Sequence, residues 1–301
     1  MITPPYLKKG DAVGIVAPAR WIEQEKYESI ISIIEKQGFN PIRGKTTYLT
    51  HGPFAGTDAE RLGDMQSMLD NTDIKALFCL RGGYGTIRII EDLDFTRFKQ
   101  NPKWIIGFSD ITILHNALHN MNVASIHGQM PLNFSGRSDN KGLDTLFNVL
   151  VGKPLTYSLD SHPLNKMGEA SGELVGGNVA ILCSLIGTPL DINTEGKILF
   201  IEEVGEYLYR FDRLMHHLKM SGKLSQLAGL IIGGLTDMKD NEPAFGLSVA
   251  EIVAHVVKDY TYPVCFDFPA GHIKENYPLI LGAKSQLRVT SHKSEILFET
   301  P

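Results

Sequence analysis

Ile74-Lys75-Ala76-Leu77-Phe78-Cys79-Leu80-Arg81-Gly82-Gly83-Tyr84-Gly85-Thr86, and shortly after it Trp104-Ile105-Ile106-Gly107-Phe108-Ser109-Asp110, decide the fold. Each begins as a short apolar run and is cut off by glycine and polar residues, the habit of a buried strand. A helical pattern follows each, near residues 86–91 and over 110–120. Strand, helix, strand and helix in succession predict parallel strands joined by crossover helices.

Upstream the alternation continues. Ala12-Val13-Gly14-Ile15-Val16-Ala17 is a strand halted by Pro18, and residues 23–37 read as a helix closing at Gly38. Thr57-Asp58-Ala59-Glu60 has the form of a capping box opening a helix to about Leu69. Residues 1–150 are therefore expected to form an α/β domain with a mainly parallel sheet flanked by helices. Between 151 and 170 Pro154, Pro163 and Gly168 occur without periodicity, which predicts a linker. Residues 171–301 read as an α+β domain with a β-rich end. Its expected elements are a helix over 177–186, a strand over 198–204, helices over 207–220 and 248–257, and a strand at 230–234.

Composition narrows the function class. Over 301 residues, 43% hydrophobic and 21% charged content is ordinary for a globular chain, and 34 acidic against 29 basic residues argue against a nucleic-acid surface. No apolar run approaches the roughly 20 residues of a membrane span. The N-terminal residues lack a signal-peptide pattern, so a soluble protein retained where it is made is expected. Cys79, Cys183 and Cys265 are odd in number, far apart and in apolar surroundings, which predicts reduced core thiols.

Three segments end a strand with a residue able to do chemistry: Ser109, Glu202 in Ile201-Glu202-Glu203, and His272 in Pro269-Ala270-Gly271-His272. Strand exits line the ligand crevice of open α/β sheets, and a nucleophile, an acid and a base there are the parts of a serine hydrolase. Each has a plainer reading. Ser109 or Asp110 can cap a helix, and Ile111 stands where the elbow motif G-x-S-x-G has its second glycine. Glu202, Glu203 and Glu206 can be solvated carboxylates, and His272 a loop histidine; His127 is the second choice for a base. The turn at Gly82 and Gly83 matches neither a P-loop nor G-x-G-x-x-G, so it is either a tight turn or a source of oxyanion amides. His115 and His119 have metal-ligand spacing but lack the glutamate of H-E-x-x-H, and His216 and His217 point to different faces. All four are read as helix-surface histidines, and no metal is expected.

Taken together and in order, the motifs resemble the LD-carboxypeptidase family over nearly the whole chain. The N-terminal half contributes Gly10-Asp11-Ala12-Val13-Gly14-Ile15-Val16-Ala17-Pro18, Arg81-Gly82-Gly83-Tyr84-Gly85, Gly107-Phe108-Ser109-Asp110-Ile111-Thr112 and His127-Gly128-Gln129-Met130. Gly172-Glu173-Leu174-Val175-Gly176-Gly177-Asn178, Leu199-Phe200-Ile201-Glu202-Glu203, Tyr209-Arg210-Phe211-Asp212-Arg213-Leu214 and Gly271-His272 carry the C-terminal half. Gln129 departs from the proline of His-Gly-Pro-Met. The resemblance implies a serine peptidase with a Ser109–Glu202–His272 triad. Backbone amides of Gly82, Gly83 and Asp110 would form the oxyanion hole, and Arg81 and Tyr84 would contact substrate. It also implies a cytoplasmic homodimer that needs no cofactor and trims terminal D-alanine from murein tetrapeptide. Relatives that hydrolyse peptide-nucleotide antibiotics are an alternative. A non-catalytic peptide- or sugar-binding protein, with Ser109 as a cap, is another.

Overall fold

The computed structural model describes residues 1–134 and 140–299. The chain divides into two units, one of Met1–Lys153 with Tyr277–Leu279 and the other of the remaining residues. In the first unit the apolar runs become β1 (Ala12–Val16), β3 (Ile74–Cys79), β4 (Trp104–Gly107) and β5 (Ser125–His127), with β2 (Asn40–Arg43) at one edge. The order from that edge is β2, β1, β3, β4, β5, and all four of these pairings are parallel. Pro41 sits in edge strand β2, where a missing N–H costs no central ladder bond.

Among the described residues five α-helices accompany these strands: α1 (Tyr27–Lys36), α2 (Asp58–Asp70), α3 (Thr96–Gln100), α4 (Thr112–Asn120) and α5 (Lys141–Leu150). The capping box of α2 forms as read, with Thr57 and Glu60 bonding reciprocally. Residues 86–91 do not make an α-helix. They form two 3₁₀ turns, Thr86–Arg88 and Ile90–Asp92. Gly85 enters at φ +146°, and the β-branched Thr86, Ile87, Ile89 and Ile90 crowd a helical turn, which suits short 3₁₀ pieces better.

The second unit contains β6 (Thr156–Asp160), β7 (Gly168–Asn178), β8 (Ile198–Val204), β9 (Gly229–Thr236) and β10 (Val264–Cys265). Then come β11 (Leu279–Leu281), which begins in the first unit beside β5, and β12 (Lys284–Val289) and β13 (Lys293–Phe298). Strand β7 serves two ladders. Its first half pairs antiparallel with β12, and its second half pairs parallel with β8. Helices α6 (Val179–Leu185), α7 (Leu208–Met220) and α8 (Val249–Val256) bury Phe211, Met215, Ile252 and Val253 in one cluster with Leu199, Ile201, Leu230 and Ile232.

Residues 151–170, read above as a linker, contribute β6 and the first residues of β7. Tyr157 is buried between exposed Thr156 and Ser158, and β6 pairs with β13 more than a hundred residues away, which local patterning does not reveal. The helix expected from residue 177 begins at Val179. Gly176 and Gly177 extend β7 instead, at φ +131° and +147°. A Cβ on Gly176 would lie 1.8 Å from the Phe200 carbonyl oxygen, so only glycine allows this close pairing. All three cysteines are free and buried, and burial pushes their thiol pKa values up. No helix among the described residues is long and apolar enough to cross a membrane.

Candidate active site

Strand β4 ends at Gly107, and Ser109 follows at φ +64°, a left-handed conformation that costs a non-glycine residue about 1–2 kcal/mol. A 3₁₀ turn, Ser109–Ile111, then leads into α4. Phe108 and Ile111 hold the two N-cap positions, and neither makes a side-chain cap bond. The capping reading of Ser109 is thus not what the turn uses. What remains is a strained strand-to-helix corner with a half-buried serine, the local form of a nucleophile elbow despite the missing second glycine. Crowding falls on the first glycine: a Cβ on Gly107 would meet Ile111 at 2.9 Å.

The glycine turn passes close to this corner. A Cβ on Gly82 would stand 3.1 Å from Ser109 Cβ, 3.3 Å from its Oγ and 3.4 Å from the Asp110 amide nitrogen. Gly82 and the Asp110 amide therefore flank the serine. Gly83 is exposed at φ +106°, with Arg20 filling the space a side chain would need. Arg81 donates from Nη1 to the Trp21 carbonyl at 2.9 Å, and Tyr84 is exposed beside Phe54, ring centroids 6.0 Å apart.

In the second unit, side-chain alternation along β8 separates the two acids. Leu199 and Ile201 face the α6–α8 cluster, and Glu203 follows them, whereas Glu202 shares the opposite face with Phe200. Glu203 accepts from Asn178 Nδ2 (2.9 Å) and from the amides of Ala180 (2.8 Å) and Val204 (2.9 Å), so it anchors the start of α6. Burial raises its pKa. Glu202, fully buried, accepts from His272 Nδ1 at 2.6 Å and from the His272 amide at 3.3 Å. Burial drives the His272 pKa down, but the hydrogen bond and charge of Glu202, with the charge of Glu203, outweigh it; the pKa is raised.

Several residues that sequence reasoning passed over shape the histidine loop. Gly234 donates its amide to the Ala270 carbonyl (2.8 Å), Thr236 its hydroxyl to the His272 carbonyl (3.0 Å), and the Gly271 amide donates to Asn276 Oδ1 (2.8 Å). Gly233 is required because a Cβ would lie 2.6 Å from the Ala270 oxygen. The pair Gly233-Gly234 within β9 is the sequence signal for such a close approach.

Other candidates have different duties. His127 is fully buried at the end of β5, its ring centroid 5.8 Å from that of Phe108. Glu206 lies 4.0 Å from Arg210. His115 is not a surface histidine: its Nε2 meets the Gly107 carbonyl at 2.9 Å and Nδ1 meets Ser125 Oγ at 2.8 Å. Burial lowers its pKa to about 4, so the neutral ring donates to Gly107 and accepts from Ser125. Gln129, the departure from the family proline, is buried and exchanges two hydrogen bonds with Asn140, which caps α5. Among the described residues no three His, Cys, Asp or Glu are grouped to hold a metal ion.

Residues 13–128 match the LD-carboxypeptidase N-terminal domain and residues 171–287 its C-terminal domain. The probable murein peptide carboxypeptidase of Bacillus subtilis is 34% identical over 299 residues, 98% of this chain and 93% of that protein. The crystal structure of a muramoyltetrapeptide carboxypeptidase from Oxalobacter formigenes superposes with a TM-score of 0.88 at 26% identity, covering 96% of this chain and 99% of that one. The microcin C7 self-immunity protein MccF of Escherichia coli is 24% identical over 317 residues, 92% of this chain and 90% of that protein.

Proposed function

The chain belongs to the LD-carboxypeptidase family and is a serine-type peptidase; we propose that it removes the terminal D-alanine from murein tetrapeptide through an acyl-enzyme. The observation that carries this reading is the 2.6 Å bond between Glu202 Oε2 and His272 Nδ1. A carboxylate on Nδ1 fixes the tautomer in which Nε2 is the basic nitrogen. His272 then takes the Ser109 proton, Ser109 attacks the scissile carbonyl, and the imidazolium is stabilised by Glu202. The leaving D-alanine takes that proton, and water hydrolyses the ester with His272 again as base. Amides of Gly82, Gly83 and Asp110 bind the oxyanion, each such donor being worth about 3–4 kcal/mol.

The nucleophile comes from the first unit, and the acid and base come from the second. Arg81, with the amides of its turn and the neighbouring Tyr84, is the proposed contact for the substrate's terminal carboxylate and side chain. A pocket fitted to D-alanine places the methyl where an L-residue carries hydrogen, so chirality is read sterically. A homodimer working in the cytoplasm completes the proposal.

The test is a purified-protein assay on a defined tetrapeptide, its L-alanine diastereomer and its C-terminal carboxamide. We expect D-alanine release from the first substrate and little from the others, with Ser109→Ala abolishing turnover. Binding without turnover would make the protein a peptide-binding module. Preferential cleavage of a peptide-nucleotide conjugate would place it with MccF in substrate, and the triad would stand.

A further inference from the structure

The residue after the nucleophile carries a buried carboxylate that the mechanism above does not use. Asp110 is 1% exposed, and its Oδ2 accepts from the Thr86 amide at 2.9 Å. Thr86 lies across the fold in the glycine turn. On the other side of that turn Arg61, fully buried in α2, donates from Nη1 to the Gly85 carbonyl at 2.9 Å and to the Pro18 carbonyl at 2.5 Å. Its Nη2 is held by Asp58.

The Gly85 carbonyl and the Thr86 amide belong to one peptide group. Two buried charged side chains therefore hold a single peptide plane from opposite ends. Gly85 makes this possible, since at φ +146° a Cβ would come within 2.8 Å of Arg61 Nη1. Three residues back along the same turn, Gly82 packs against Ser109 and the Asp110 amide. We infer that the Asp110 carboxylate, with Arg61, is a positioning group: it fixes the glycine turn against the Ser109 corner and so sets the spacing of the oxyanion donors. The inference rests on Ser109 being the nucleophile.

Three features favour this over a plain structural tie. Burying an acid and a guanidinium is a poor route to stability, because desolvation offsets much of their attraction. The carboxylate does not cap α4, whose N-cap position belongs to Ile111. Asp110 also contributes to both sides of the proposed hole, supplying its own amide on one side and holding the turn on the other. Burial raises its pKa against the lowering pull of the Thr86 hydroxyl and amide, of Arg61 and of the Gly85 amide.

The experiment compares Asp110→Ala, Asp110→Asn and Arg61→Lys in the full chain with tetrapeptide. A peptide boronic acid with the same side chains serves as tetrahedral mimic, and the tripeptide product as ground-state ligand. Loss of the hold displaces donors by a fraction of an ångström to an ångström, so Asp110→Ala is expected to lower kcat about 100-fold with KM nearly unchanged. Boronate affinity should fall in parallel and product affinity should hold. Asp110→Asn keeps an acceptor for Thr86 and should recover about a tenth of the wild-type rate or more. Should Asp110→Ala fail to fold, Arg61→Lys decides: reduced kcat with matching boronate loss supports the inference, and unchanged values overturn it. Wild-type kcat in Asp110→Ala, or equal losses of boronate and product binding, would also overturn it. An active Ser109→Ala defeats instead the reading on which it rests, so the two failures are distinguishable.

Discussion

Replacing Gly271 by alanine tests the proposed catalytic role of the Glu202–His272 pair without touching either member. Gly271 adopts φ +108°, and a Cβ there would lie 2.7 Å from Glu202 Cβ, 2.8 Å from Oε2 and 2.9 Å from Cγ. That is about 0.7 Å inside ordinary carbon contact, and a fully buried Glu202 in the middle of a sheet has no room to withdraw. Nor does the loop slide easily: the Ala270 carbonyl is bonded to Gly234, the Gly271 amide to Asn276 and the His272 carbonyl to Thr236. The displacement therefore falls on the 2.6 Å His272–Glu202 bond. A shift of this size in catalytic geometry corresponds to about a 100-fold loss of kcat, accompanied by roughly 2–3 kcal/mol of stability from backbone strain and overpacking. Gly222→Ala is the control. Gly222 has φ +80° with nothing nearer than 3.9 Å, so it isolates the backbone penalty, about 1 kcal/mol, from the collision. Steady-state rates on a tetrapeptide with thermal unfolding of each variant give the answer. If Gly271→Ala keeps kcat within twofold of wild type, the loop is softer than argued and His272 does not depend on this packing.

Glu202→Gln should lower kcat by about two to four orders of magnitude, because the tautomer and the imidazolium both lose their partner. Glu203→Gln should cost about 1–3 kcal/mol of stability at the start of α6 and leave kcat within a few-fold; the reverse pattern in the rates would contradict the facing of β8. The His272 pKa is raised, and the base must be neutral, so the acid limb of kcat/KM should have its midpoint above the ordinary 6.5, and Glu202→Gln should move it down. The same sign makes the pair's stabilisation fully present below the unfolded-state pKa and lost as pH rises through the folded one, which urea melts across that range would show. All three cysteines should resist a thiol reagent until the chain is unfolded, since each is buried with a raised pKa; fast modification of native protein would contradict that.

Local order in the sequence was readable where a single segment carries its own signal. The capping box at Thr57, the strand Ile198–Val204 and the parallel βαβ order of the first unit all follow from composition and period within a few residues. The apolar runs also single out Ser109, Glu202 and His272 as candidates, although Glu202 lies within β8 and His272 seven residues past β10. Partners distant in sequence were not readable. Nothing near Thr156 announces β13, and nothing before Tyr277–Leu279 announces a return to the first unit. Arg61 reads as one more charge on an amphipathic helix, yet it is fully buried on the Gly85 carbonyl. Spacing alone puts His115 on a helix surface, whereas α4 is buried nearly all round.

Several features break local rules in each unit, and physical reasons explain them. A serine at φ +64° is strained, a fully buried Glu202 is desolvated, and a buried Arg61 and Asp110 hold one peptide group where apolar packing would fold as well. Each is unfavourable alone. They persist because rigid surroundings over-determine them: parallel strands fix the corner after Gly107, and β8 separates its acids so that Glu203 secures a helix while Glu202 meets the imidazole. A sequence designed only for stability would remove most of these groups. The proposed peptidase chemistry gives them a reason to persist, since preorganised charge and fixed donors have to be in place before the substrate arrives.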